Sequence, residues 1–187
     1  HIPASVDHSI QRSEFLTSYT PYQPEISQGT LQYLYEFQTQ VSLLTGMDIS
    51  NASMYDGSTA AAEAVSMAKR ITKRNEVILS NTIHPHYADV IKTISGIKDG
   101  EFVYNRNFSI DIDYLFNEVN ENTACVVVQN PDFFGSCYDL SALAEFVQSK
   151  GALFIVVVTE VLSLGLMRSP GAMGADIVAC EGQSLGN

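Results

Sequence analysis

Residues 124–129 read ACVVVQ, and residues 152–158 read ALFIVVV. Both runs are short and rich in β-branched residues, a composition typical of strands that are buried on both faces of a sheet. Between them, residues 141–150 have the apolar spacing of a helix that ends at Gly151. A strand, a helix and a second strand in this order predict a parallel βαβ unit at the centre of the fold.

The same alternation continues on both sides of this unit. Further helices are predicted at residues 29–44, 58–74, 88–94 and 111–119, and further strands at residues 76–80, 101–104 and 176–180. The pattern indicates an α/β fold with a mostly parallel, doubly wound sheet, in which ligands bind at the carboxyl ends of the strands. We expect an extended segment and a helix in residues 1–45, followed by a large α/β domain in residues 46–187.

The chain is acidic, with 10 Lys+Arg against 21 Asp+Glu and a formal charge of −11. Four of the basic residues lie within residues 69–74, at the end of a predicted helix, where positive charge offsets the helix dipole. Binding to nucleic acid or to an anionic membrane surface requires a broad basic face, so the composition argues against both classes. No apolar run approaches the ~18 residues that a membrane-spanning helix needs.

The sequence offers little for a metal site. Cys125, Cys137 and Cys180 are an odd number and form no CxxC pair, so we predict free thiols rather than a disulfide framework or a zinc site. The HPH motif at residues 84–86 could supply two imidazoles, but its proline and the lack of a nearby third ligand disfavour a metal there. Two interpretations stay open for His84, a loop residue that contacts a ligand and a purely structural residue.

A helix start with hydroxyl side chains is the first candidate binding motif. Gly57 allows a tight turn, and Ser58 and Thr59 follow it at the beginning of a predicted helix. Hydroxyls and free backbone N–H groups at such a position can bind phosphate, because the helix dipole is positive there. The alternative is a plain N-cap, for which serine and threonine are ordinary choices. Neither a Walker lysine nor a GxGxxG pattern is present, which excludes both fingerprints at this position.

Two further motifs follow predicted strands. Asn130-Pro131 closes the first run and either presents the Asn130 amide over the carboxyl edge of the sheet or simply turns the chain. Residues 182–186 match the GxSxG pattern of a hydrolase nucleophile elbow at Ser184. No histidine follows Ser184 in this sequence to complete a triad in the hydrolase order, so a serine hydrolase is the least favoured hypothesis.

Several longer segments are more specific than these motifs. They are YTPYQPEISQGT at residues 19–30, LTGMD at 44–48, NASMYDGSTA at 51–60, GADIV at 174–178 and EGQSLGN at 181–187. Together they resemble the P-protein of the glycine cleavage system, glycine dehydrogenase (decarboxylating), and HPHY at residues 84–87 resembles its separate bacterial subunit 1. The resemblance covers less than half of a usual subunit. We therefore expect an incomplete large domain, with an amino-terminal part and a small carboxyl-terminal domain outside these residues.

The resemblance implies the aminotransferase-like fold (fold type I) of pyridoxal-phosphate enzymes, with the large domain only. It implies that Ser58 and Thr59 match the phosphate cradle of the cofactor. It also implies that His84 matches the residue that stacks on the cofactor ring and that Asn130 matches the residue that reaches its phenolic oxygen. The strand at residues 152–158 should end in an aspartate that holds the ring nitrogen, but the residue here is the uncharged Thr159.

A second departure concerns the lysine that such enzymes need for a Schiff base. The lysine should follow the last strand, but no lysine follows Lys150, and the matching place reads Gln183-Ser184. We therefore interpret the cofactor-binding positions as a degenerate site, with no catalytic residue in this chain. The positions of this site are Ser58, Thr59, His84, Asn130 and Thr159.

The resemblance assigns the missing lysine to a partner. It implies a heterotetramer with the lysine-bearing P-protein subunit 2, which holds the pyridoxal phosphate, decarboxylates glycine and passes the aminomethyl group to the lipoyl arm of the H-protein. It also implies a bacterial, cytoplasmic enzyme. We expect residues 19–25 to face the partner, with an ordinary surface loop as the alternative. For the whole chain, the competing hypothesis is a scaffold that no longer supports turnover.

Overall fold

The computed structural model describes residues 2–22, 27–104 and 112–186. These residues form a five-stranded sheet in the order β2-β1-β3-β4-β5, in which every pair of neighbours is parallel. The strands are β1 (Glu76–Leu79), β2 (Phe102–Val103), β3 (Thr123–Gln129), β4 (Leu153–Val158) and β5 (Ile177–Cys180). The α-helices are α1 (Ala4–Ile10), α2 (Gly29–Thr45), α3 (Gly57–Thr72), α4 (Pro85–Ile94), α5 (Leu115–Glu118) and α6 (Ser141–Ser149). The α/β, doubly wound architecture expected from the sequence is confirmed.

The two apolar runs quoted first become β3 and β4 at the centre of the sheet. All seven residues of β3 are buried. Cys125 and Val127 face the layer that contains α3 and α4, whereas Val126 and Val128 face the layer that contains α5 and α6. Because successive side chains of a strand point to opposite faces, a strand that is covered on both faces has to be apolar along its whole length.

Helix α3 packs closely on the sheet because its buried face is made mostly of alanine. Its buried residues are Gly57, Ala61, Ala62, Ala64, Val65 and Ala68. The first of them, Gly57, lies against Tyr87 near the start of α4 and against Glu181 just after β5. The start of α3 therefore lies at the carboxyl edge of the sheet.

Helix α4 begins earlier than the sequence pattern predicts, at Pro85 instead of residue 88. The imidazole of His84 accepts a hydrogen bond from the backbone N–H of His86 at 3.1 Å and so caps the helix. Proline suits the first helical position, because its missing N–H would have no helical partner there.

The amino-terminal and central segments also differ from expectation. The helix predicted at residues 111–119 is a single turn, α5, and residue 111 lies outside the described part of the chain. The segment that was expected to be extended contains the helix α1. Because α1 buries no residue, its sequence does not need the apolar spacing from which a helix is predicted. Tyr19 and Tyr22 are exposed, whereas residues 23–25 of the segment expected to face a partner lie outside the described residues.

Helix α2 is the predicted helix at residues 29–44, and it ends at Gly46 in the left-handed conformation that glycine adopts readily. Only Thr30 and Thr45 of this helix are buried. Its exposed large apolar side chains are Leu31, Tyr33, Tyr35, Phe37, Leu43 and Leu44. Packing within the described residues therefore contributes little to the stability of α2.

The described residues contain no helix that is both long and apolar enough to cross a membrane. The same residues contain no group of three or more His, Cys, Asp or Glu side chains that could hold a metal ion. Cys125, Cys137 and Cys180 are free thiols.

Candidate functional site

The carboxyl edge of the sheet is the place where this fold can bind a ligand. β1 and β3 are neighbours, but the chain leaves β1 towards β2 on one side and leaves β3 towards β4 on the other. Connections that diverge in this way open a crevice at the carboxyl ends of the two strands. The structure places His84 after β1, Asn130 after β3 and Thr159 after β4, so these three residues lie at this edge.

Gln129 connects the ends of three strands at this edge, although no sequence motif points to it. Its side-chain oxygen accepts from the backbone N–H of His84 at 2.8 Å. Its side-chain nitrogen donates to the Thr159 hydroxyl at 3.2 Å and to the Pro131 carbonyl at 3.0 Å. The side chain is buried with all these partners, so it closes the crevice between β1 and β3 from within. A polar residue at the end of an otherwise apolar buried strand was the available signal.

His84 is half-buried among aromatic rings. Its ring lies 4.9 Å from Phe133 and 5.0 Å from His86, both edge to face. Burial lowers the pKa of His84, the neighbouring His86 lowers it further, and the carboxylate of Glu181 partly opposes both effects. Because Nδ1 accepts a hydrogen bond, the neutral ring has its proton on Nε2.

The depressed pKa of His84 predicts a loss of stability in acid. The unfolded chain binds the proton more readily than the folded chain, so the contribution of His84 is complete above the unfolded pKa of about 6.5 and is lost as the pH falls from there through the lower pKa of the folded chain. Between about pH 7.5 and about pH 5.5, we expect the melting temperature of His84→Asn to fall by less than that of the wild type. Asparagine can still cap α4. The control is His8→Asn on the exposed helix α1, and equal losses in wild type and His84→Asn would contradict the expectation.

Asn130 directs its amide to a neighbouring loop. Its Nδ2 donates to the Tyr138 carbonyl at 2.9 Å, and its Oδ1 accepts from the Tyr138 backbone N–H at 3.1 Å. The residue is buried, and both polar atoms of the side chain are used in these bonds. Nδ2 carries two N–H groups, and the bond to the Tyr138 carbonyl uses one of them.

The start of α3 is capped by Asp56. Its carboxylate accepts from the backbone N–H of Thr59 at 2.7 Å and from the Ser58 hydroxyl at 2.8 Å. The Thr59 hydroxyl accepts in turn from the Asp56 backbone N–H at 3.2 Å, which completes a capping box. The bond from the Thr59 N–H is the main cause that lowers the pKa of Asp56, and the Ser58 hydroxyl adds to it. The Ser58 hydroxyl and the Thr59 N–H are therefore already bonded to a carboxylate of the chain itself.

A second carboxylate lies beside the same helix start. Tyr87 donates its hydroxyl hydrogen bond to Glu181 Oε1, and Gln183 donates to Glu181 Oε2 at 2.6 Å. Both the Tyr87 hydroxyl and the Glu181 carboxylate lie over Gly57, on the side where any other residue would place its Cβ.

The ends of β4 and β5 carry the remaining polar side chains of the edge. Glu160 accepts from the backbone N–H of Leu162 at 3.0 Å. A hydrogen bond from the Ser184 hydroxyl, followed by that from Leu162, lowers the pKa of Glu160. Ser184 lies in a short 3-10 turn at Gln183–Leu185. A serine bonded to a carboxylate in such a turn is not the strand-to-helix elbow with a histidine base that a hydrolase uses.

Pyridoxal phosphate, the cofactor that the resemblance implies, does not fit this edge. Two carboxylates, from Asp56 and Glu181, lie at the start of α3 where its phosphate would need donors. Thr159 is uncharged and bonded to Gln129. Gln183 follows β5 at the position where a lysine would be needed.

The whole chain, residues 1–187, matches the glycine cleavage system P-protein family. Relatives named probable glycine dehydrogenase (decarboxylating) subunit 1 are 62% identical in Methylocella silvestris and 56% identical in Maricaulis maris. Each match covers 100% of this chain and 42% of the relative, so the chain spans less than half the length of these proteins.

Solved structures agree with the sequence comparison. The crystal structure of glycine decarboxylase (P-protein) of the glycine cleavage system in inhibitor-bound form has a TM-score of 0.84 and 45% identity, covering 100% of this chain and 42% of that one. A cysteine desulfurase from Thermococcus onnurineus NA1 is 16% identical with a TM-score of 0.67, covers 96% of this chain and 46% of that one, and supports the fold alone. The fold is that of the fold type I pyridoxal-phosphate enzymes, and the chain belongs to the glycine cleavage system P-protein family.

Proposed function

We propose that this chain is part of glycine dehydrogenase (decarboxylating) subunit 1 and supports the reaction without holding the catalytic lysine. In the cytoplasm, a lysine-bearing P-protein subunit 2 would hold the pyridoxal phosphate, and the aminomethyl group left by decarboxylation of glycine would pass to the lipoyl group of H-protein. The likeness of the whole chain to relatives named as this subunit supports the assignment. The bound cofactor would supply an electron sink for the decarboxylation.

The positions of the lysines are the observation that favours this proposal most. Every lysine of the sequence lies in or after the last turn of a helix, shortly before the next strand begins. These lysines are Lys69, Lys73, Lys92, Lys98 and Lys150. The beginnings of parallel strands share one edge of a sheet, so all of these lysines lie towards the amino edge, opposite the candidate site.

The two edges are too far apart for a lysine side chain to reach from one to the other. β3 has seven residues, and a strand rises about 3.3 Å per residue, so its two ends are about 20 Å apart. Lys150, the last lysine of the sequence, holds its ammonium group 5.3 Å from the centre of the Phe146 ring in α6. A Schiff base at the carboxyl edge therefore needs a lysine from outside these residues.

Borohydride trapping tests where the cofactor is attached. The full-length protein that contains this chain would be assembled with a lysine-bearing subunit 2, loaded with pyridoxal phosphate, reduced and digested for mass spectrometry. We expect a stoichiometric adduct on one partner lysine, and only low, scattered labelling of this chain. The matched control Lys150→Arg should leave the adduct unchanged, because Lys150 lies at the opposite edge. A stoichiometric adduct on a lysine of this chain would refute the proposal.

Glycine-dependent exchange of carbon dioxide separates the enzyme subunit from the scaffold alternative. We expect exchange when the full-length protein and its lysine-bearing partner are mixed, and little or none with either protein alone. A complex that forms and traps the cofactor on the partner, yet shows no exchange above the partner alone, would favour the scaffold.

A further inference from the structure

We infer that Glu181, held in place by Tyr87, closes the anion-binding position at the start of α3, and that together with Asp56 it excludes phosphate-bearing cofactors from this chain. This inference rests on the proposed function, in which the cofactor belongs to the partner. It adds a second reason why the cofactor would bind to the partner and not to this chain. Loss of the lysine removes the covalent attachment, whereas the two carboxylates remove the binding place for the phosphate.

The first step concerns space. The start of a helix binds phosphate when a glycine lets the ligand come close to the backbone N–H groups. Gly57 is such a glycine, and it is buried. The position of a Cβ added to it would overlap the Tyr87 hydroxyl and Glu181 Oε1 and would lie 2.6 Å from Glu181 Cγ. The open side of Gly57 is therefore filled by side chains of the same chain.

The second step concerns hydrogen-bond donors. The Thr59 N–H and the Ser58 hydroxyl point to the Asp56 carboxylate, at 2.7 and 2.8 Å. The Tyr87 hydroxyl points to Glu181. Three donors that a phosphate could use, the Thr59 N–H and the Ser58 and Tyr87 hydroxyls, are thus already bonded to carboxylates, and a phosphate would have to displace these bonds.

The third step concerns charge. The hydrogen bonds from Thr59 and Ser58 lower the pKa of Asp56, so this carboxyl is ionised at neutral pH. Burial first, and then the bond to Glu181, raise the pKa of Tyr87, so the phenol keeps its proton and remains the donor. A phosphate dianion at this position would face a negative Asp56 and the Glu181 carboxylate, and like charges at such short range repel strongly.

The arrangement links three elements that are distant in the sequence. Gly57 begins α3, Tyr87 lies in the first turn of α4, and Glu181 follows β5. Gln183 holds the other oxygen of Glu181 at 2.6 Å. Both oxygens of the carboxylate are therefore hydrogen-bonded.

The test measures cofactor binding to the complex of the full-length protein with its partner. The partner's own pyridoxal phosphate is first fixed by borohydride, so that further binding reports on this chain. Equilibrium dialysis then measures additional pyridoxal phosphate bound to wild type, Glu181→Gln, Glu181→Ala and the double variant Asp56→Asn with Glu181→Ala. Glu145→Ala, on the exposed face of α6, is the matched control. Pyridoxal without phosphate is dialysed in parallel.

We expect the double variant to bind pyridoxal phosphate about fivefold more tightly than the wild type, or better, with no gain for pyridoxal. Glu181→Gln keeps the volume and the bond to Tyr87, so its gain should be smaller than that of Glu181→Ala. Glu145→Ala should bind as the wild type does. The inference is overturned if the double variant gains less than about fivefold in affinity for pyridoxal phosphate. It is also overturned if the affinity for pyridoxal rises as much as that for pyridoxal phosphate. An adduct on this chain in the initial borohydride step would instead refute the proposed function.

Discussion

Replacing Gly171 by alanine is expected to destabilise the contact between the end of α2 and the segment before β5 by about 3 kcal/mol. A Cβ at this position would overlap the carbonyl oxygen of Gly46, lie 2.5 Å from its carbonyl carbon and lie 3.1 Å from the carbonyl oxygen of Thr45. These are backbone atoms, which cannot rotate away as the end of a flexible side chain can. The turn at Gly171–Met173 would have to move, and with it the buried side chain of Met173.

Hydrogen exchange measured by mass spectrometry on the full-length protein checks this expectation. Exchange in peptides that cover residues 41–50 and 168–176 should accelerate about 100-fold, since each 1.4 kcal/mol corresponds to a factor of ten. The matched control is Gly182→Ala, because nothing lies within 4 Å of the Cβ it would add. That variant should change stability by less than about 0.5 kcal/mol. Equal exchange in the two variants would mean that the backbone contact at Gly171 can relax at little cost.

Replacing Asp132 by alanine is expected to loosen the loop at residues 132–138 by about 3 kcal/mol or more. The carboxylate is buried and accepts from the backbone N–H of Phe134 at 2.9 Å and of Ser136 at 2.8 Å, and from the Tyr138 hydroxyl at 2.9 Å. Alanine would leave all three donors without this buried acceptor. Because Phe133 contacts His84, the disturbance should reach the carboxyl edge of the sheet.

The control for this prediction removes one of the three bonds and no charge. Tyr138→Phe loses the bond from its hydroxyl to Asp132 and should cost about 1 kcal/mol, because the backbone bonds between Tyr138 and Asn130 remain. Exchange of a peptide covering residues 131–140, with the melting temperature of the full-length protein, measures both variants. If Asp132→Ala costs no more than Tyr138→Phe, the backbone bonds of the carboxylate contribute little.

The strands that carry the fold were readable from short apolar runs. β3 and β4 are buried on both faces, so burial leaves a continuous apolar signal in the local sequence. The end of α2 could also be predicted from the local sequence, because the left-handed backbone conformation at Gly46 favours glycine. The beginning of α4 was misplaced by three residues, because it depends on a hydrogen bond from His86 to the His84 ring, which spacing alone does not reveal.

The candidate site was predictable as a set of positions but not as a set of contacts. The order of strands and the parallel rule place His84, Asn130 and Thr159 at one edge. Their partners could not be inferred, since Gln129 bonds to residues that follow β1 and β4, and Asn130 turns to Tyr138. Such pairs depend on strand register and on loop paths, which vary independently of the residue type.

By itself, the sequence determined the α/β class, the family resemblance and the two departures at Thr159 and after β5, because these depend on residue identity and local periodicity. Only the tertiary structure showed that every lysine lies towards the edge opposite the site, and that Glu181 and Tyr87 meet over Gly57. The physical reason is distance along the chain. Local patterns report whether a segment is buried, but packing across the sheet decides which distant side chains share a position.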